Sequence, residues 1–121
     1  MATCLIVDDS KVIRMLLSKI VSSLGFSVIE AEDGEEAVEL TQIKNPSLVI
    51  MDWNLPVLDG IDALYKIREL NLIRAPKVIF CSSGSDINRI KQALDGGADD
   101  YIMKPFDEDI IASKLTVLGL L

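Results

Sequence analysis

The chain has 121 residues, half of them hydrophobic, with 19 acidic against 12 basic side chains, a net charge of −7 and no histidine. That length suits one domain able to bury about two-thirds of its unfolded surface, and the acidic balance argues against a nucleic-acid surface, which needs a basic footprint. Without histidine there is no Ser-His-Asp or Cys-His nucleophile, no histidine-ligated zinc and no imidazole base, and no apolar run reaches the roughly 20 residues of a membrane span.

Met1-Ala2-Thr3 leads directly into a strand-like segment rather than a signal peptide, so the expected home is the cytosol. Cys4 to Val7 is a short continuous apolar run, as in a strand covered on both faces. Val12, Ile13, Leu16, Leu17, Ile20, Val21 and Leu24 then repeat at helical spacing, and Gly25 follows as a stop. Phe26 to Glu30 alternates apolar and polar, which predicts an edge strand. Asp33 with Glu36 resembles a capping box opening a helix to about Lys44.

The cycle then recurs. Leu48 to Met51 is a buried run that ends in Asp52, and a loop with Pro56 and Gly60 leads to a helix carrying Ile61, Leu64, Ile67 and Leu70. Val78 to Cys81 precedes a Ser-Ser-Gly-Ser loop, residues 82–85. Ile87, Ile90, Ala93 and Leu94 mark a helix that Gly96-Gly97 terminates. Tyr101 to Met103 is a short strand, and Asp107 caps a last helix carrying Ile111, Leu115 and Leu118. Five strands alternating with five helices imply right-handed crossovers and a doubly wound parallel α/β sheet. With no linker, repeat or low-complexity stretch, residues 1–121 are expected to form a single domain with no output domain attached.

The chemistry-bearing residues fall at strand ends. Asp8 and Asp9 follow the first strand, Asp52 the third, Ser82 the fourth and Lys104 the fifth. Ligands of an open α/β sheet bind outside the carboxyl ends of its strands. Three carboxylates gathered there repel one another unless a cation neutralises them, and Mg²⁺ is the natural candidate. A lysine beside them makes sense if the ligand is itself anionic, as a phosphoryl group is. Each residue also has a plainer reading: Asp9 or Ser10 as a helix cap, Ser82 and Ser83 as turn residues, Lys104 as a solvated surface lysine. Their placement along one sheet edge favours the functional reading. Cys4 and Cys81 lie in apolar runs and read as small buried hydrophobes.

Asp8-Asp9, Met51-Asp52-Trp53-Asn54-Leu55-Pro56, Asp59-Gly60, Ser82 and Lys104-Pro105-Phe106 together resemble the receiver domain of bacterial two-component response regulators, in its stand-alone chemotaxis form. The resemblance runs the whole chain. It implies a flavodoxin-like (βα)5 fold with strand order 2-1-3-4-5, and a signalling protein rather than an enzyme. By the same resemblance Asp52 is the phosphoacceptor, served by a sensor histidine kinase. Asp8, Asp9, Asp52 and the backbone carbonyl of Asn54 would hold Mg²⁺. Lys104 would pair with the phosphoryl oxygens, the Ser82 hydroxyl would bond them, and Tyr101 would be the aromatic switch.

The output face would be the last two helices and the strand between them, with Ile90, Met103 and Lys114 on it. It would serve a downstream target, either a flagellar motor component or a histidine phosphotransfer protein, in a monomer or weak dimer. Lacking histidine, the chain itself could only receive phosphate in such a relay. Two departures stand out: Ser82 where the family often has threonine, and Gly84 where many relatives carry a bulky polar or acidic residue. In this fold the third strand separates the two cysteines by about two spacings of 4.8 Å, beyond disulfide reach.

Other classes fit less well. An aspartate-nucleophile phosphohydrolase wants a second aspartate two residues after the first, where Asp52 is followed by Asn54 and Asp8 by Ser10. A nucleotide or flavin binder would show a G-x-G-x-x-G or P-loop after the first strand, where this chain has carboxylates. A degenerate receiver is disfavoured by the intact set of acids and lysine.

Overall fold

Short apolar runs alternate with helices along the chain, and in the computed structural model, which describes residues 2–84 and 86–121, each run becomes the predicted element. In chain order these are β1 (Thr3–Val7), α1 (Lys11–Ser23), β2 (Ser27–Ala31), α2 (Gly34–Lys44), β3 (Leu48–Met51), α3 (Gly60–Glu69), β4 (Lys77–Ser82), α4 (Ile87–Asp95), β5 (Asp100–Met103) and α5 (Glu108–Val117). Ser85, the last residue of the predicted serine-glycine loop, lies outside the described residues.

All four strand pairings are parallel, in the order β2-β1-β3-β4-β5. The fold is therefore the doubly wound, flavodoxin-like arrangement expected, with β2 at an edge. One face of the sheet packs Leu5, Val7, Val49, Met51, Val78 and Phe80 against Ala37 of α2, Ile61 and Leu64 of α3 and Ala93 of α4. The other packs Ile6, Ile50, Ile79 and Ile102 against Leu17 and Val21 of α1 and Ile111 and Leu115 of α5. Because both faces are covered, the central strands read as unbroken apolar runs instead of alternating. Cys4 and Cys81 are buried and free, as expected from strands that are not neighbours.

Local rules set the helix starts. Ser10 caps α1 by accepting from the Ile13 amide at 3.3 Å, and Asp33 and Asp107 cap α2 and α5. The predicted capping box at Asp33 is only half formed: Glu36 reaches back one residue further, to the Glu32 amide at 3.1 Å. Two apolar stripes are wider than the surface they bury. Val12 of α1 is 72% exposed and Ile87 of α4 is 78% exposed, although both sit at apolar-periodic positions.

The amino-terminal edge of β5 is riveted by Arg68 of α3. Its guanidinium donates twice to the Gly97 carbonyl, at 2.9 and 2.7 Å, once to the Pro76 carbonyl at 2.8 Å and once to Asp99 at 3.1 Å. Asp99 in turn accepts from the Val78 amide at 2.8 Å. Arg68→Ala leaves these half-buried acceptors without a donor and is expected to lower stability by roughly 2 kcal/mol. The measurement is urea unfolding, where the midpoint should fall at constant slope; an unmoved midpoint would contradict the rivet.

Candidate functional site

Parallel strands end together, and their carboxyl ends build the site. Asp8 and Asp52 stand immediately past β1 and β3, which are neighbours whose following helices pack on opposite faces of the sheet. That divergence opens a crevice at the switch point. Backbone bonds fix the level of each residue: the Asp8 amide donates to the Ala31 carbonyl at 3.2 Å and the Asp52 amide to the Val7 carbonyl at 2.9 Å. The β3–β4 register pairs Met51 with Phe80, so β4 overhangs and carries Ser82 one residue beyond the level of Asp52. The Lys104 amide donates to the Ser82 carbonyl at 3.1 Å, setting the lysine at the same edge.

Gly60 at the start of α3 is required by close approach. A Cβ there would stand 2.5 Å from the Asp52 carbonyl oxygen and 2.9 Å from the Trp53 Cα, while the Gly60 amide bonds the Trp53 carbonyl at 2.8 Å. Any larger residue would push the helix off the loop that carries Asp52.

The side chains converge. Oxygens of Asp8, Asp9 and Asp52 all lie within 4.8 Å of one another. Asp8 and Asp52 are buried and Asp9 is exposed at the mouth. The Lys104 ammonium bridges the two buried acids, donating to Asp8 Oδ2 at 2.9 Å and Asp52 Oδ2 at 3.2 Å. The other oxygens take backbone amides: Asp8 Oδ1 that of Ser10 at 2.9 Å, Asp52 Oδ1 that of Asn54 at 3.3 Å. Burial by itself lowers the Lys104 pKa, but its bond to Asp8 and the charges of Asp52 and Asp8 outweigh it and hold the ammonium above the usual lysine value. The same surroundings reach one layer down, where burial above all pushes the Cys81 thiol up to about 12.

This donor set suits Mg²⁺: three hard carboxylates and no sulfur or nitrogen ligand, with lone pairs left on the Asp8 and Asp52 oxygens, which each hold one hydrogen bond. The Asn54 backbone belongs to the same turn, since its amide closes on Asp52. Receiver domains typically bind a divalent metal at an acidic pocket of this kind.

Ser82 is buried at the end of β4. Tyr101 of β5 packs its ring partly against the core, and its hydroxyl donates to the Gly84 carbonyl at 3.1 Å, which ties it to the loop that Ser82 begins. Gly84 itself has φ +97°, a conformation that favours glycine. A larger residue at this position would be strained. The Lys104–Pro105 bond is cis.

Two arginines at this edge escape the sequence reading. Arg14 of α1 is 7% exposed and donates to the Asp8 carbonyl at 2.7 Å while pairing with Glu30 at 3.0 Å and Glu32 at 3.3 Å. It thereby pins the backbone of the acidic pair against β2. Its signal was present: Arg14, Leu17 and Val21 recur at the spacing of the buried face of α1. The other is Arg89 of α4, whose guanidinium lies over the Trp53 ring and reaches Asn54. It had no sequence signal, because the contact crosses from helix α4 to the loop after β3, far away in the sequence.

An open parallel sheet with an acidic triad at its carboxyl edge, two of its members bridged by a lysine, defines the class of the response regulator receivers. The sequence profile described as "Response regulator receiver domain" matches residues 4–116, and the chain belongs to that family. It is 40% identical over 112 residues to the chemotaxis protein CheY of Bacillus subtilis, covering 92% of each chain. To CheY of Halobacterium salinarum it is 40% identical over 116 residues, covering 93% of this chain and 95% of that one. The solved structure of Vibrio cholerae CheY4 superposes with a TM-score of 0.89 at 26% identity, over 100% of this chain and 99% of that one. The chain is a CheY-like receiver of a two-component system.

Proposed function

We propose that Asp52 accepts a phosphoryl group from a phosphohistidine of a partner sensor histidine kinase, and that the modified chain presents an altered α4–β5–α5 face to a downstream target. The observation that carries this reading is the Lys104 bridge between Asp8 and Asp52. A cation placed on two buried acids balances their charge and stands where phosphoryl oxygens would arrive.

In the transfer an oxygen of Asp52 forms a bond to phosphorus, the phosphorus–nitrogen bond of the donor breaks, and the partner imidazole leaves with the electron pair. Asp8, Asp9, Asp52 and the Asn54 carbonyl would hold Mg²⁺, which when bound neutralises charge that builds on the phosphoryl oxygens. Lys104 supplies a second positive charge and orients the group in line. The new oxygens then offer acceptors to the Ser82 hydroxyl. Movement of Ser82 shifts the loop to which Tyr101 is bonded, and Tyr101 lies on β5, the strand in the middle of the proposed output face. Ile87, Leu94, Met103 and Ile110 are already exposed on or beside that face, which supports a protein target.

The test is chemical: Mg²⁺ with a small acyl-phosphate donor should add one phosphoryl group to the chain, and a chain that stays unlabelled overturns the proposal. The metal has its own reporter. Trp53, the single tryptophan, follows Asp52 directly. Its fluorescence is expected to change on titration with Mg²⁺ and to return on chelation, whereas a flat signal up to millimolar metal counts against the site. Capture with beryllofluoride-activated chain separates the fates of the phosphate. A motor or regulator protein is expected, and a histidine phosphotransfer protein would instead make the chain a relay intermediate.

A further inference from the structure

Helix α4 has the thinnest hold on the rest of the molecule. Of its residues only Ala93 is buried. Among the described residues, its polar side chains reach other elements through two ties: Gln92 Nε2 donates to the Tyr65 hydroxyl at 3.4 Å, and Arg89 reaches the loop after β3. The second tie ends on the site. The Arg89 guanidinium carbon is 4.8 Å from the centroid of the Trp53 ring, and Nη2 donates to Asn54 Oδ1 at 3.2 Å. Trp53 and Asn54 are the two residues that follow Asp52.

Both ends of this tie are firm. Trp53 is 3% exposed, with its ring 5.2 Å from that of Phe80, and its carbonyl is bonded by Gly60. The Asn54 amide is on Asp52 Oδ1. A continuous path thus runs from the Asp52 carboxylate through Asn54 to Arg89 and α4. Among the described residues no carboxylate lies within ion-pair distance of Arg89. Its charge rests on an aromatic face and a neutral amide, contacts weaker than a charge-assisted bond to an anion. An arginine so held is free to answer new negative charge nearby.

We propose that Arg89 is a positioning residue that couples the charge on Asp52 to the seating of α4. It latches the helix to Trp53 and Asn54 in the unmodified chain and is drawn off the ring when phosphoryl oxygens are added. The inference rests on Asp52 as the phosphoacceptor. It extends that reading by naming a second route to the output face, parallel to the one through Ser82 and Tyr101.

The experiment compares hydrogen exchange of the α4 amides with and without Mg²⁺ and beryllium trifluoride in wild type, Arg89→Gln and Arg89→Lys. Occupancy is checked by fluorine NMR of the bound mimic, and each variant is read at equal occupancy. In wild type, activation is expected to change α4 exchange about fivefold, a typical coupling. Arg89→Gln should lose most of that change, and Arg89→Lys, which keeps the charge but gives up the planar stack on Trp53, should recover only part of it. Basal Trp53 emission should also shift in Arg89→Gln, since the cation leaves the ring. An undiminished response in Arg89→Gln, no response in occupied wild type, or no recovery in Arg89→Lys overturns the coupling. Failure of wild type to bind the mimic at all would instead strike the phosphoacceptor reading.

Discussion

Asp52→Asn is expected to take up no phosphoryl group under conditions where intact-mass spectrometry shows one on the wild type. The substitution keeps the shape of the side chain and removes the charged nucleophile, so the chemical step should slow by at least about a thousandfold. Folding should survive, because Lys104 keeps its shorter bond to Asp8 and one of three mutually repelling acids is gone. The variant therefore separates chemistry from structure. Equal labelling of both proteins would place the acceptor elsewhere and overturn the assignment; peptide mapping would then show whether Asp8 or Asp9 carries the group. The Trp53 response to Mg²⁺ should weaken in the same variant, since one of the three carboxylate ligands becomes a neutral amide.

The backbone scaffold was legible because its signals are local. Buried parallel strands write themselves as Cys4–Val7, Leu48–Met51 and Val78–Cys81, and helix starts as Ser10, Asp33 and Asp107. Convergence of Asp8, Asp52 and Lys104 followed from topology, since strand ends of a doubly wound sheet meet at one edge. What the pattern could not carry was the difference between an apolar position and a buried one. Ile87 and Leu94 have helical spacing but face outward, because α4 meets the sheet only through Ala93. Nor could it show that Lys104 already occupies the acids, or that Arg14 and Arg89 brace the two aspartate-bearing loops from outside. Those contacts join residues far apart in sequence and depend on where long side chains end.

Lys104→Ala should give the second large effect, and it should split in two. Without the ammonium, Asp8 and Asp52 face each other with no fixed counter-charge, and the folded state is expected to lose about 2 kcal/mol, less than a fully buried pair because the lysine is partly exposed. Metal takes over that role, so the deficit should shrink in excess Mg²⁺ as binding stabilises the variant more than the wild type. Acceptance of phosphate should persist at a reduced rate, because Asp52 remains, while activated target binding should fall towards its resting level. The pH dependence has a definite sign. A lysine whose folded pKa is raised contributes fully below its unfolded value and loses the contribution only as pH climbs through the folded one. The stability gap between wild type and Lys104→Ala, measured in chelator by urea unfolding, should therefore stay level from neutral pH to about 10 and close above it. A gap that is absent at neutral pH, or that is unchanged by Mg²⁺, would mean that the lysine does not hold the acids in solution. Full activated binding by the variant would remove it from the switch.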